Sequence, residues 1–148
     1  MAGPAGTFEL RHAGMHDAAE LARLATGLGY PASGAEMAPR LAALLADPAR
    51  RVYVAAQHDR LLGWIGIERR TTLETGEKAE IVGLVVDARA RRMGVGLALL
   101  DAAQDWARAQ GFDALMVRSN AARIESHPFY EKNGYVRLKS QHVYSRPL

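Results

Sequence analysis

The chain has 148 residues, 49% of them apolar and 24% charged, which suits one globular domain built on a single core. Its formal net charge of +3, from 19 basic and 16 acidic residues, fits phosphate-bearing ligands but is too small to argue for nucleic acid. No cysteine is present, which excludes disulfides, thiolate metal sites and a cysteine nucleophile.

The first residues, "MAGPAGTFELRHAG", show no basic segment followed by an apolar one, and no run approaches a membrane span. The expectation is a cytoplasmic protein that binds neither membrane nor nucleic acid. "TFELRHA" (Thr7–Ala13) alternates as a first strand. "MHDAAELARLATGLGY" carries Ala18, Leu21, Leu24, Ala25 and Leu28 at helical spacing, with His16 or Asp17 as cap and Gly29 and Pro31 as stop. "ASGAEMAPRLAALLADPAR" reads as a second helix. "RRVYVAAQ" and "LLGWIGIERR", joined by "HDR", read as a hairpin. "TTLETGEK" reads as a polar connection, and "AEIVGLVVD" (Ala79–Asp87) as an apolar central strand. A helix is predicted from about Gly94 to Gln110, ended by Gly111. "FDALMVRSN" follows as a strand, then a short helix around Pro128–Asn133, then "YVRLK" and "QHVYS" as closing strands. The order βααβββαβαββ predicts an α+β domain around one mixed sheet, a single domain over residues 1–148. A homodimer is expected too, because the closing strands would leave a sheet edge open.

The stretch "RARRMGVGLALL" (Arg89–Leu100) stands where the central strand gives way to the long helix. A loop that opens a helix presents unpaired backbone N–H groups, and the helix dipole adds partial positive charge. Gly94 and Gly96 admit an anion close to the backbone, and Arg91 and Arg92 supply charge-assisted hydrogen bonds. The bland alternative is a helix start with solvated arginines. A pyrophosphate satisfies the combination better than a carboxylate. A P-loop would need Gly-Lys-Ser/Thr, which is absent. A dinucleotide fingerprint would need a third glycine where Leu99 stands, and no separation between strand and first glycine.

"RRMGVG" is similar to the Q/R-x-x-G-x-G/A signature of the GNAT acetyltransferases, with Arg91, Gly94 and Gly96 in the signature positions. "AEIVGLVVD" resembles the fourth strand of that family, and "HPFYEKNGY" (His127–Tyr135) resembles its late Phe-Tyr-Glu segment. The resemblance implies a GNAT fold: a three-layer α/β/α-like arrangement with a central mixed, splayed sheet and about four helices. It implies acetyl-CoA as cosubstrate and N-acetyl transfer as the activity. The backbone N–H groups of Arg92, Met93, Gly94, Val95 and Gly96, with Leu97 beyond them, would wrap the pyrophosphate. The backbone of Leu84, Val85 and Val86 would pair with the pantetheine arm, with Gly83 suited to a bulge there. Asn120 would bond the arm from the other side, although a turn-capping role serves that residue equally well.

Tyr130 stands in the position that the family gives to the acid for the departing thiolate. A phenol ionises near pH ~10 and a thiol near ~8.5, so donation is uphill by about two kcal/mol at reference values unless the site offsets it. Stabilising the thiolate by a hydrogen bond is the alternative role. Pro128 is favoured in a first helical turn and should push His127 out of the helix. Glu80, at the start of the central strand, is the candidate base for the amine. His127 and His142 are its rivals, because imidazole exchanges protons near neutral pH. The five histidines show no metal-ligand spacing, so no metal is expected. Tyr30, in "GLGYPASG" (Gly27–Gly34), is the candidate contact for the acceptor, which is either a small molecule or a protein amine. Without a cysteine to carry the acyl group, direct transfer in a ternary complex is the simpler route. The rival from another class is an acyl-CoA-binding domain without turnover.

Overall fold

The computed structural model describes residues 7–119 and 126–148. They fall into two compact units, the first ending at Val117 and the second running from Arg118 to Leu148.

The first unit is a five-stranded sheet in the order β1-β2-β3-β4-β5, made of β1 (Glu9–His12), β2 (Arg50–Gln57), β3 (Arg60–Thr72), β4 (Gly76–Val86) and β5 (Leu115–Val117). The first four strands pair antiparallel and β5 pairs parallel with β4, so the sheet is mixed. Helices α1 (Ala18–Gly27) and α2 (Gly34–Ala46) precede β2, and α3 (Val95–Ala109) connects β4 to β5. Alternation along the strands sorts the helices onto two faces. Leu21 and Leu24 of α1 and Leu41 of α2 share a core with Val52, Val54, Leu61 and Val85. A Cβ added at Gly63, which points the other way, would meet Val95 and Leu99 of α3 at 3.1 Å. The layers are therefore α1 and α2, sheet, α3.

The connection expected at "TTLETGEK" is largely strand. Thr71 pairs with Glu77 and Thr72 with Gly76, leaving Leu73–Thr75 as the tip of a long hairpin. The Arg69–Glu77 ion pair ties its two strands, and the two threonines suit a pleated surface.

The second unit contains α4 (His127–Lys132). His127 is its first residue rather than lying outside it, and Ser126 sits before it without a side-chain cap. The bias that Pro128 imposes on His127 yields here to the backbone bond from the Tyr130 amide to the Ser126 carbonyl. Gly134 (φ 89°) closes the helix. The two expected closing strands are absent: residues 135–148 carry no strand. Local alternation in "YVRLK" and "QHVYS" finds no strand partner among the described residues, and Val136, Leu138, Val143 and Tyr144 stay exposed. The edge argument for a homodimer loses its strands with them.

Candidate functional site

The long apolar strand β4 changes character halfway along. Its first half pairs on both sides, with β3 and, at Ala79, Glu80 and Ile81, with β5. Gly66 of β3 is opposite Gly83, but Ile67 is opposite Ile81, so Val82 is an extra residue and β4 bulges there. The pairing with β5 ends at Ile81–Val117, beside the bulge. From Gly83 to Val86 the strand pairs with β3 alone among the described residues. The glycine expected to permit a bulge thus sits one residue past it. Its reason is a close approach: a Cβ on Gly83 would lie 2.6 Å from the Trp64 ring. The Trp64 indole nitrogen is buried with no hydrogen-bond partner among the described residues.

After β4, Asp87 opens a short 3-10 turn (Ala88–Ala90) by accepting the Arg89 amide at 3.0 Å. The loop that follows carries two left-handed residues, Arg92 (φ 70°) and Gly94 (φ 80°). A non-glycine residue in that region costs energy and marks a conformation held for a reason. Turns that mix right- and left-handed residues aim successive N–H groups into a concavity that suits anions. Gly94 is the cap residue of α3 and provides no side-chain hydrogen bond to the helix start, where Val95, Gly96 and Leu97 follow. Val95 is buried, which anchors the first turn, while Arg91, Arg92 and Gly94 are exposed and Met93 is half-buried. Neither arginine makes an ion pair among the described residues.

Glu80 lies on the face of the sheet that holds α1 and α2, opposite Glu68. It is 3% exposed, and its Oε2 accepts from Arg70 Nη1 at 3.2 Å. Tyr30 lies in the α1–α2 connection, its amide bonded to the Ala25 carbonyl at 2.9 Å and the residue 58% exposed. In the second unit Tyr130 is half-buried, with the rings of Phe129 and Tyr135 edge-on at 5.4 and 5.9 Å. Burial, with a smaller contribution from Tyr135, pushes its phenol above the ordinary tyrosine range. His142 is exposed, outside any helix or strand. Asn120 lies outside the described residues.

The first unit thus brings together the bulged half of β4, the arginine loop and the open helix start, and carries Glu80 on the same strand. What sequence reading missed is the support beneath the loop. Arg23 of α1 binds Asp87 at 2.9 Å across 64 residues of sequence, and no local signal announces that contact. Among the described residues no group of three or more histidine, aspartate or glutamate side chains could hold a metal ion, and no helix is long and apolar enough to cross a membrane.

The strand thus loses its neighbour at a bulge and leads through a basic loop to a helix start with no side-chain cap. The family model described as "Acetyltransferase (GNAT) family" matches residues 16–135, so the chain belongs to the GNAT acetyltransferase family and is an acyltransferase by class. An uncharacterized N-acetyltransferase, YhdJ, of Bacillus subtilis (strain 168) is 31% identical over 97 residues, covering 65% of this chain and 68% of that one. An aminoglycoside N(6')-acetyltransferase type 1 of Klebsiella aerogenes is 28% identical over 116 residues, covering 76% of each. The solved structure of aminoglycoside N-acetyltransferase AAC(6')-Iy in complex with CoA matches with a TM-score of 0.85 over 99% of both chains at 15% identity, a likeness of fold.

Proposed function

We propose that residues 1–148 form a single GNAT domain that transfers an acetyl group directly from acetyl-CoA to the primary amine of a small molecule, in a ternary complex. The observation that carries this reading is the open start of α3 behind the bulge in β4. The backbone N–H groups of Arg92, Gly94, Val95 and Gly96 bind the pyrophosphate, while the Met93 amide, expected among them, is bonded to the Ala90 carbonyl and shapes the loop instead; Arg91 and Arg92 add charge. The backbone of Leu84, Val85 and Val86 pairs with pantetheine amides where β5 no longer does, and Asn120 adds a bond to the arm. The neutral amine nitrogen attacks the thioester carbonyl and gives one proton to Glu80, directly or through a water, as the amide forms. The C–N bond forms, the C–S bond breaks, and Tyr130 protonates the departing thiolate. Burial keeps the phenol protonated through the neutral range but makes it a weaker acid, so the departing thiolate's own surroundings must offset the uphill transfer, or the hydroxyl acts by hydrogen-bonding the thiolate. Tyr30 contacts the acceptor. The small-molecule acceptor is supported by the 28% identity to an aminoglycoside N(6')-acetyltransferase.

Thiol release against a panel of amines, with acetyl-CoA binding measured in parallel, tests the reading. Tyr130→Phe should bind acetyl-CoA as the parent does and turn over about 10²–10⁴-fold more slowly. Glu80→Gln should flatten or move the acidic limb of the rate–pH profile. Turnover within about threefold of the parent for Tyr130→Phe makes that residue structural. Binding with no release on any amine makes the protein an acyl-CoA-binding domain instead.

A further inference from the structure

The pyrophosphate loop is rooted at Asp87, and Asp87 is held from α1. The Arg23 guanidinium donates from Nε and Nη2 to the two oxygens of Glu20 at 2.7 and 3.0 Å, from Nη2 to the Leu61 carbonyl at 2.9 Å, and from Nη1 to Asp87 Oδ2 at 2.9 Å. Glu20 in turn accepts the Leu61 amide at 2.9 Å. Asp87 is 9% exposed, and both of its oxygens are engaged, the second by the Arg89 amide. From there the Ala90 amide donates to the Asp87 carbonyl at 2.9 Å, and the Met93 amide to the Ala90 carbonyl at 3.3 Å. A continuous run of hydrogen bonds therefore joins α1 and the start of β3 to the middle of the loop.

We propose that Arg23 is a positioning residue for the cofactor: it touches no substrate, but it fixes Asp87 and thereby the place where the loop amides meet the pyrophosphate. The inference rests on the reading of that loop given above. Only a planar fork can satisfy Glu20, Asp87 and a carbonyl together, and an ammonium cannot span them. Without Arg23, both carboxylates lose their ion-pair partner at the root of an anion site and keep only the more distant charge of Arg60 and one backbone amide each.

Arg23→Met, Arg23→Lys and Asp87→Asn test this with two thioesters, acetyl-CoA and S-acetylpantetheine, the second lacking the pyrophosphate. For all three variants the dissociation constant of acetyl-CoA should rise about tenfold, the scale of one charge-assisted hydrogen bond. Turnover at saturating acetyl-CoA should stay within about threefold of the parent, and kcat/KM for S-acetylpantetheine should not change. The double variant Arg23→Met/Asp87→Asn should lose no more than either single one, because the two residues act through one contact. Equal losses on both thioesters, or parent-like acetyl-CoA affinity in the variants, overturn the proposal. If Arg23→Met does not fold, Asp87→Asn carries the same test. If the parent itself fails to bind acetyl-CoA, the reading of the loop falls before any variant is made.

Discussion

Helices α2 and α3 begin in opposite ways. At α2, Ser33 accepts the Glu36 amide at 3.1 Å and Glu36 reaches back to the Ser33 amide at 3.2 Å, so the helix satisfies its own start. At α3 the cap is Gly94 in a left-handed conformation, with no side chain to offer, and the first backbone bond is from Ala98 to the Gly94 carbonyl at 3.0 Å. The same orphan donors exist at both ends. One end is closed by its own side chains, and the other has no side-chain cap, with Arg91 and Arg92 exposed beside it. In the function proposed above, that uncapped start is where the pyrophosphate binds.

Filling the open end should have the largest effect. A Cβ at Gly94 would meet nothing within 4 Å, so the space above it is clear in the protein alone, but its φ of 80° strains any side chain. Gly94→Val should weaken acetyl-CoA binding by about 100-fold or more, read by calorimetry. The strain should also cost about 1–2 kcal/mol of stability. Gly94→Ala shares the strain with less bulk and should retain more affinity, which separates the two causes. A folded Val variant that binds as the parent does would erase the distinction between α2 and α3.

How much of this was legible in the sequence follows from the range of the forces involved. The arginines, Gly94 and Gly96 announce themselves because an anion site at a helix start is built from consecutive residues. The strand before it and the helix after it were equally clear from their apolar patterns. By contrast, the conformation of Arg92 was not legible, since nothing in its side chain announces a φ of 70°. The need for Gly83 comes from Trp64 on the neighbouring strand, and the brace on Asp87 comes from Arg23. Such contacts exist only after folding. The "TTLETGEK" hairpin misled because turn-forming residues sit among threonines that pair well across strands. The closing strands misled for the converse reason, since alternation describes a face but supplies no partner.

A smaller effect is expected at Asp17, in the 3-10 turn (Met15–Asp17) that leads into α1. It accepts from Arg11 at 2.7 and 2.9 Å and from the Gly14 amide at 2.8 Å, so this turn is closed by its own chain. Burial works to raise its pKa, but the Arg11 and Gly14 hydrogen bonds outweigh burial and hold the carboxyl below its ordinary range. The sign follows. This contribution to stability is present in full above the ordinary carboxylate range and is lost as pH falls through the depressed value. Asp17→Asn should cost about 2 kcal/mol in urea unfolding near pH 7. The gap between variant and parent should narrow as pH falls below the ordinary carboxylate range, where the parent carboxyl takes up its proton. A gap that stays constant with pH would mean that packing, not charge, holds this turn. Acetyl-CoA affinity at neutral pH should be unchanged.

The smallest effect should come from opening the closed end of α2. Ser33→Ala removes the hydroxyl that accepts the Glu36 amide and leaves the Glu36 side chain in place. The loss should be about 1 kcal/mol of stability, or about 2–4 °C in Tm for a chain of this size. Acetyl-CoA affinity should not move, because a cap that the chain makes for itself has no ligand to lose. The value of so small a change is that it isolates the meaning of the large one. If Ser33→Ala weakens acetyl-CoA binding as well, then any disturbance near a helix start reaches the cofactor, and the loss at Gly94 no longer locates the site. If it lowers Tm alone while Gly94→Val abolishes binding, the two helix starts do different work: one holds the fold, and the other holds the pyrophosphate.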